Sequence, residues 1–314
     1  MHDFENKDFL TVKGLERADI EAIFDASNKM EKILKDRTRI DLLKDKILGV
    51  AFFQVSTRTR MSFESAMQRL GGGVVGFSDP KTTRAGDYYA ESIQDVARMM
   101  ESYCDAMVIR HPENGAPEKA AEVINIPVIN AGDGYNEHPT QGLLDVYSIL
   151  KAKGRIDGLK IGLVGDTSMR VMHSLNLVLS HFDVEVQMIS TPEKALSEPW
   201  RNEYKKAKLR FIERIDFDEA LKEVDVLYMF QTKTPSYSEG RSEAKQERPK
   251  QPFIITSEKL EKAKRDIIIL HPLPRTEELP TEIDSKPAAY YFVQAYYGVA
   301  VRMALLAYIF GKSF

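Results

Sequence analysis

The chain has 314 residues, with 44 Lys and Arg against 47 Asp and Glu and a formal charge of −3, which argues against a general nucleic-acid binder. Its length points to two domains or one large one, and a single cysteine, Cys104, excludes an internal disulfide and suits a reducing compartment. The polar start is unlike a signal peptide, and the most apolar stretch, at the C-terminal end, is interrupted by Gln294 and Arg302, so a cytoplasmic protein without membrane partners is expected.

A first helix is predicted over residues 16–36, where Ile20, Ile23, Phe24, Ala26 and Met30 fall near helical spacing. The apolar run Ile47–Phe53 reads as a buried strand. A helix follows with Phe63, Ala66, Met67 and Leu70 on one face, ended by Gly71-Gly72-Gly73. Val74–Phe77 is a short strand and Ser78–Tyr88 a polar loop. After a helix through Met100 come the strand Ala106–Ile109, a helix over Pro117–Val123 and the strand Pro127–Asn130. A glycine-bearing loop then leads to His138-Pro139-Thr140-Gln141, which opens a helix to about Lys153.

The alternation restarts with the strand Leu159–Val164 and a helix over Met169–Ser180. The strand Val184–Ile189, a short helix Asp218–Lys222 and the strand Val226–Met229 follow. The charged stretch from Lys233 to Gln251 reads as a long mobile loop. Ile267–Leu270 is the last strand, and a final helix spans about Pro287–Phe310. Strands alternating with helices in two series predict two doubly wound parallel-sheet α/β domains. Their limits are placed at 1–150, joined by the C-terminal helix 287–314, and at 151–286.

The polar motifs follow strands: Ser56–Arg60, Arg110, His138–Gln141, Asp166–Arg170, Gln231–Lys233 and His271–Arg275. Open parallel sheets bind ligands at the carboxyl ends of their strands, so one interdomain cleft is expected to collect these groups. Ser56-Thr57-Arg58-Thr59-Arg60 combines hydroxyls, guanidiniums and a helix start, which suits a phosphate. The competing reading is a capped helix, with Ser56 or Thr57 as N-cap and the arginines in solvent. Arg110 would help neutralise a dianion. His138 and Gln141, one turn apart, would offer a hydrogen bond to a carbonyl oxygen and an amide. No metal-ligand spacing is present, and no G-x-G-x-x-G for a dinucleotide.

These pieces resemble the aspartate/ornithine carbamoyltransferase family over essentially the whole length. The matching residues are Ser56–Arg60 with Ser62-Phe63-Glu64, Gly76-Phe77-Ser78, Arg110-His111-Pro112, His138–Gln141 with Leu143-Leu144-Asp145, Gly165-Asp166, Arg170, His173-Ser174-Leu175, Asp225–Met229 and His271–Arg275. Pro272, where ornithine-specific relatives carry a cysteine, favours the aspartate branch. The resemblance implies carbamoyl phosphate and a small amino-acid acceptor as substrates, and no cofactor. Ser56, Thr57, Arg58, Thr59 and Arg110 would hold the phosphate. Thr59, Arg110 and His138 would polarise the carbonyl, and Gln141 with the backbone of Leu273 and Pro274 would grip the NH2 group. Arg170 would take the acceptor's α-carboxylate. A homotrimer with shared active sites is implied, each loop after Phe77 reaching into a neighbour.

Four departures from the family pattern fall mainly on the acceptor side. Phe53-Gln54-Val55 replaces Phe-Glu-Pro. Tyr89-Ala90-Glu91-Ser92 lacks the lysine of the mobile loop, leaving Lys81 or Arg84 as substitutes. Gln231 stands where an arginine would grip a side-chain carboxylate, and Lys233 where a glutamine is usual. A further arginine is missing near Ser236. The expected activity is carbamoyl transfer to aspartate. A different small amine or amide acceptor, or carbamoyl phosphate binding without turnover, are the alternatives.

Overall fold

The structure, a computed structural model, describes residues 4–86, 91–232 and 251–313. The chain divides into two units, Met1–Tyr147 with Ala295–Phe314, and Ser148–Gln294.

The first unit contains α1 (Arg17–Lys35), β1 (Ile47–Phe52), α2 (Arg58–Arg69), β2 (Gly73–Phe77), α3 (Ile93–Glu101), β3 (Ala106–His111), α4 (Ala116–Ala121), β4 (Val128–Asp133) and most of α5 (Pro139–Lys153). Its sheet is parallel throughout, in the order β2-β1-β3-β4. Phe63, Ala66, Met67 and Leu70 are all buried, as their 3.6-residue spacing requires. The expected loop after Phe77 instead carries two 3-10 turns, Pro80–Thr82 and Arg84–Gly86. Asp79 caps the first by accepting from Lys81 N at 3.0 Å.

The second unit contains β5 (Lys160–Val164), α6 (Arg170–Leu179), β6 (Glu185–Ile189), α7 (Glu198–Lys206), β7 (Arg210–Arg214), α8 (Phe217–Glu223), β8 (Val226–Met229), α9 (Ser257–Leu260) and β9 (Ile268–Leu270). Its parallel sheet runs β7-β6-β5-β8-β9. Val164, Leu227, Met229, Ile267 and Ile269 pack with Phe217, Leu221, Phe253 and Tyr291 in one core. Three elements, α7, β7 and α9, lie where no element was expected. The expected mobile loop falls almost wholly outside the described residues.

The last helix, α10 (Tyr291–Ile309), starts four residues later than its sequence pattern suggested. By length and composition alone it is apolar enough to cross a membrane, yet most of it is buried. Both interrupting residues, Gln294 and Arg302, are buried too. Gln294 Oε1 accepts from His271 N at 2.8 Å.

Candidate active site

In the first sheet the chain leaves β1 for β2 on one side and returns to β3 on the other. The carboxyl ends of β1 and β3 therefore flank the point where the winding reverses, the ligand position in open α/β sheets. Phe52 pairs with Arg110 there, and Arg110 O accepts from Phe53 N at 2.9 Å and Gln54 N at 3.3 Å. The turn after β1 is thus pinned to Arg110. The β3–β4 register shifts between Ile109 and His111, a bulge of the kind that re-aims a side chain at a site. Arg110 Nη1 donates to Ala131 O at 3.1 Å.

Thr57 does not cap α2 with its side chain. Thr57 has helical angles, φ −76° and ψ −57°, and its hydroxyl makes no cap hydrogen bond. The capped-helix reading therefore does not hold for Thr57: a capping side chain needs an extended backbone, which Thr57 lacks. First-turn N–H groups and the positive end of the helix dipole gather at this turn. Arg58, the first helical residue, is exposed, whereas Arg60 is held by Glu64, Nε to Oε1 2.7 Å. Thr59 faces inward and lies 3.3 Å from His138 Nε2 through its Oγ1, both residues being buried.

His138 precedes α5 in a stiffly built loop. Asp133 Oδ1 accepts from Asn130 Nδ2 at 2.9 Å and Glu137 N at 3.2 Å, and its Oδ2 from Gly115 N at 2.9 Å and Asn136 Nδ2 at 3.1 Å. Glu137 turns away from the site. Burial pushes its carboxyl up, although Thr11 and Val12 donate to it. One turn into α5, Gln141 Nε2 donates to Asp145 Oδ1 at 2.8 Å, inside the core. An ionised carboxylate only accepts, so this contact assigns the Gln141 amide and leaves Oε1 as its acceptor.

The second sheet repeats the device. β5 leads to β6 and β7 on one side and the chain returns to β8 and β9 on the other, so winding reverses between β5 and β8. Asp166 N donates to Gln231 O at 3.2 Å across that point. Gly165 has φ +131°, and a Cβ there would sit 2.3 Å from Phe230 O, so only glycine permits this approach. Asp166 carries Ser168 on Oδ1 and Lys194 on Oδ2, at 2.6 Å and 2.7 Å, and Arg170 opens α6 fully buried. His173, one turn on, stacks on Trp200 with ring centroids 3.7 Å apart.

Gln231 Nε2 donates to Pro274 O at 2.9 Å. The Leu273–Pro274 peptide is cis, with Leu273 at φ +58°, an uncommon angle for leucine. His271 organises this turn. Its Nδ1 accepts from Leu273 N at 2.8 Å, which leaves Nε2, 3.0 Å from Glu278 Oε1, as the nitrogen that donates. Burial raises the Glu278 carboxyl, but the bonds from His271 and Thr276 outweigh it and the net shift is downward.

The structure thus brings Thr59, Arg110 and His138 to one switch point and places Gln141 one turn into α5. It joins Gln231 to Pro274 at the other. Lys81 and Arg84 sit exposed in the 3-10 turns after β2. Lys233, Tyr89 and Ala90 lie outside the described residues. Asp133 and Asp145, which support His138 and Gln141, went unassigned on sequence; an acid four residues after Gln141 was the available signal for Asp145.

Residues 7–151 match the family model described as aspartate/ornithine carbamoyltransferase, carbamoyl-P binding domain, and residues 157–309 match the Asp/Orn binding domain of the same family. The chain is 41% identical over 310 residues to the aspartate carbamoyltransferase catalytic subunit of Thermococcus kodakarensis, covering 98% of each chain. It is 42% identical over 315 residues to that of Methanopyrus kandleri, covering 99% of each. Among solved structures, aspartate transcarbamoylase from Trypanosoma cruzi in complex with carbamoyl phosphate and aspartate superimposes with a TM-score of 0.86 at 32% identity, over 98% of this chain and 97% of that one. With both halves matched and full-length relatives at this identity, the chain belongs to the aspartate/ornithine carbamoyltransferase family.

Proposed function

We propose that the protein transfers the carbamoyl group of carbamoyl phosphate to the amino group of L-aspartate, releasing N-carbamoyl-L-aspartate and phosphate, a step of pyrimidine biosynthesis. The observation that carries this reading is the start of α2, where Thr57 makes no side-chain cap, beside Arg110, with Thr59 3.3 Å from His138. The phosphate takes the N–H groups and hydroxyls of Ser56, Thr57 and Thr59 together with Arg58 and Arg110. Thr59, Arg110 and His138 stabilise the carbonyl oxygen as the neutral amine attacks and negative charge collects on it. Gln141 Oε1 and the backbone of Leu273 and Pro274 accept from the NH2 group. The carbon–oxygen bond to phosphate then breaks, and the departing phosphate takes the amine proton and leaves as hydrogen phosphate. Arg170 takes the acceptor's α-carboxylate, with Gln231 and Lys233 on its side chain.

A second reading, a different small amine or amide acceptor, is favoured by one observation. Gln231 is uncharged and its amide is engaged on Pro274 O. Colorimetric detection of ureido products from carbamoyl phosphate and a panel of acceptors decides between them. Saturable carbamoyl-aspartate formation supports the first reading, and turnover only with another acceptor sinks it.

A homotrimer with shared sites is supported by the edge of the first sheet. There β2 exposes Val75 and α2 exposes Met61 beside a depression of about 700 Å³ that Ser78, Thr82 and Thr83 also line. Lys81 and Arg84 would reach a neighbour's site from this edge. Light scattering on the eluting protein tests it; a monomer at micromolar concentration would refute it.

A further inference from the structure

Arg302 is an arginine buried in an apolar helix, 2% exposed. Its Nη2 donates to Thr140 Oγ1 at 3.1 Å and its Nη1 to Gly298 O at 3.1 Å. Its guanidinium carbon lies 5.0 Å from the centre of the Phe63 ring. Burial pushes the guanidinium down to about 9, with Asp145 opposing, so it remains a cation at neutral pH. Gly298 makes room for it: a Cβ there would lie 2.6 Å from Nη1 and 3.2 Å from Leu144 Cδ2.

Replacing buried ionic groups by apolar ones of similar volume is often neutral or stabilising, so stability alone does not account for a cation at this position. Its partners point to that role. Phe63 lies one turn after Thr59 on α2. Thr140 lies between His138 and Gln141. Asp145, the acid that acts on the guanidinium, is the acceptor of the Gln141 amide. One cation therefore touches α2 through Phe63 and the residue beside Gln141 through Thr140, and feels the charge of the acid that holds the Gln141 amide.

We propose that Arg302 is a positioning residue: with Thr140 and Asp145 it fixes the Gln141 carboxamide with Nε2 on Asp145 and Oε1 offered to the NH2 group of carbamoyl phosphate. The inference rests on the carbamoyl phosphate reading above. Turning the amide over would set oxygen against carboxylate oxygen and present the substrate with a donor facing a donor.

Acetyl phosphate tests it, because a methyl group replaces the NH2 and cannot donate. Dissociation constants of both esters are measured by calorimetry for the wild type, Asp145→Asn, Thr140→Val, Arg302→Lys and Arg302→Met, with thermal unfolding as the folding control. The wild type is expected to prefer carbamoyl phosphate by about tenfold or more. Asp145→Asn and Arg302→Met should lose most of that preference, Thr140→Val part of it, and Arg302→Lys should recover part, while acetyl phosphate affinity changes less than about threefold. A preference that survives in the variants, or equal losses for both esters, overturns the proposal. If Arg302→Met does not fold, Thr140→Val and Gly298→Ala, which crowds Nη1 but keeps the charge, decide it by the same ratio. A wild type that binds neither ester overturns the proposed function and this inference with it. A wild type that prefers carbamoyl phosphate beside variants that still do overturns the inference alone.

Discussion

The Gln231 carboxamide donates to the Pro274 carbonyl oxygen at 2.9 Å, tying the end of β8 to the turn after β9. The residue at this strand end therefore braces the turn and, being neutral, offers an acceptor no charge. Gln231→Arg is expected to raise kcat/KM for acceptors bearing a second carboxylate relative to their amide analogues. The gain should be about tenfold or more, since buried charge pairs are worth roughly 2–5 kcal/mol when one partner is removed. Steady-state rates with aspartate and asparagine measure the ratio. An unchanged ratio would show that residue 231 does not face the acceptor.

Thr59 and His138 come from different elements, α2 and the loop before α5, and meet at 3.3 Å. Acting on one developing charge, they should behave as a unit. His138→Ala is expected to lower kcat by about 10²–10³-fold, the scale for loss of one such donor. Thr59→Val combined with it should cost less than the product of the two single effects. Strict multiplicativity would separate their roles.

Much of this arrangement was legible in the sequence, and the gaps have physical causes. Continuous apolar runs such as Ile47–Phe52 marked the central strands because both faces of those strands are covered. β7 was invisible for the opposite reason. It is an edge strand, three of its five residues are charged (Arg210, Glu213 and Arg214), and its exposure is high. α7 hid in the same way, as six of the nine residues of Glu198–Lys206 are charged or amide-bearing and only Tyr204 is buried. The side chains of Ser56 and Thr57 suit a cap and an anion site equally well, and the helical angles of Thr57 speak only against a cap by Thr57 itself. Arg302 read as a break in an apolar stretch. That a cation there must find buried partners was inferable, but Thr140, 162 residues away, was not.

Arg58 and Arg60, two residues apart, separate by environment. Arg58 is exposed at the first position of α2, whereas Arg60 Nε is held by Glu64 at 2.7 Å. Arg58→Ala should abolish turnover with every acceptor, because a charge-assisted contact to the leaving phosphate is lost. Arg60→Ala should leave kcat within about threefold and cost at most about 0.5 kcal/mol of stability, as for a surface pair at helical spacing. Inorganic phosphate titrations of both variants, alongside the kinetics, report whether only Arg58 weakens anion binding. Equal weakening would place Arg60 in the cradle as well.

Asp284 contributes to the acid limb of the stability profile. Arg275 grips both of its oxygens, Nη2 reaching Oδ2 at 2.8 Å, and the Tyr291 hydroxyl donates to Oδ1. The Arg275 guanidinium first, and Tyr291 second, hold the Asp284 carboxyl down at about 2, from an ordinary 3.8. A group whose folded pKa is depressed contributes stability above its unfolded pKa and loses it as pH falls through the folded one. The contribution is therefore full above about pH 4 and fades between there and about pH 2. Solvent screens this partly exposed pair, so about 1 kcal/mol is expected. Asp284→Asn should lower stability at pH 7 and flatten the pH dependence across that acid window, with no change in slope above it. Denaturant unfolding at stepped pH measures both, and a variant curve parallel to the wild type below pH 4 would show that Asp284 titrates alike in the folded and unfolded chain.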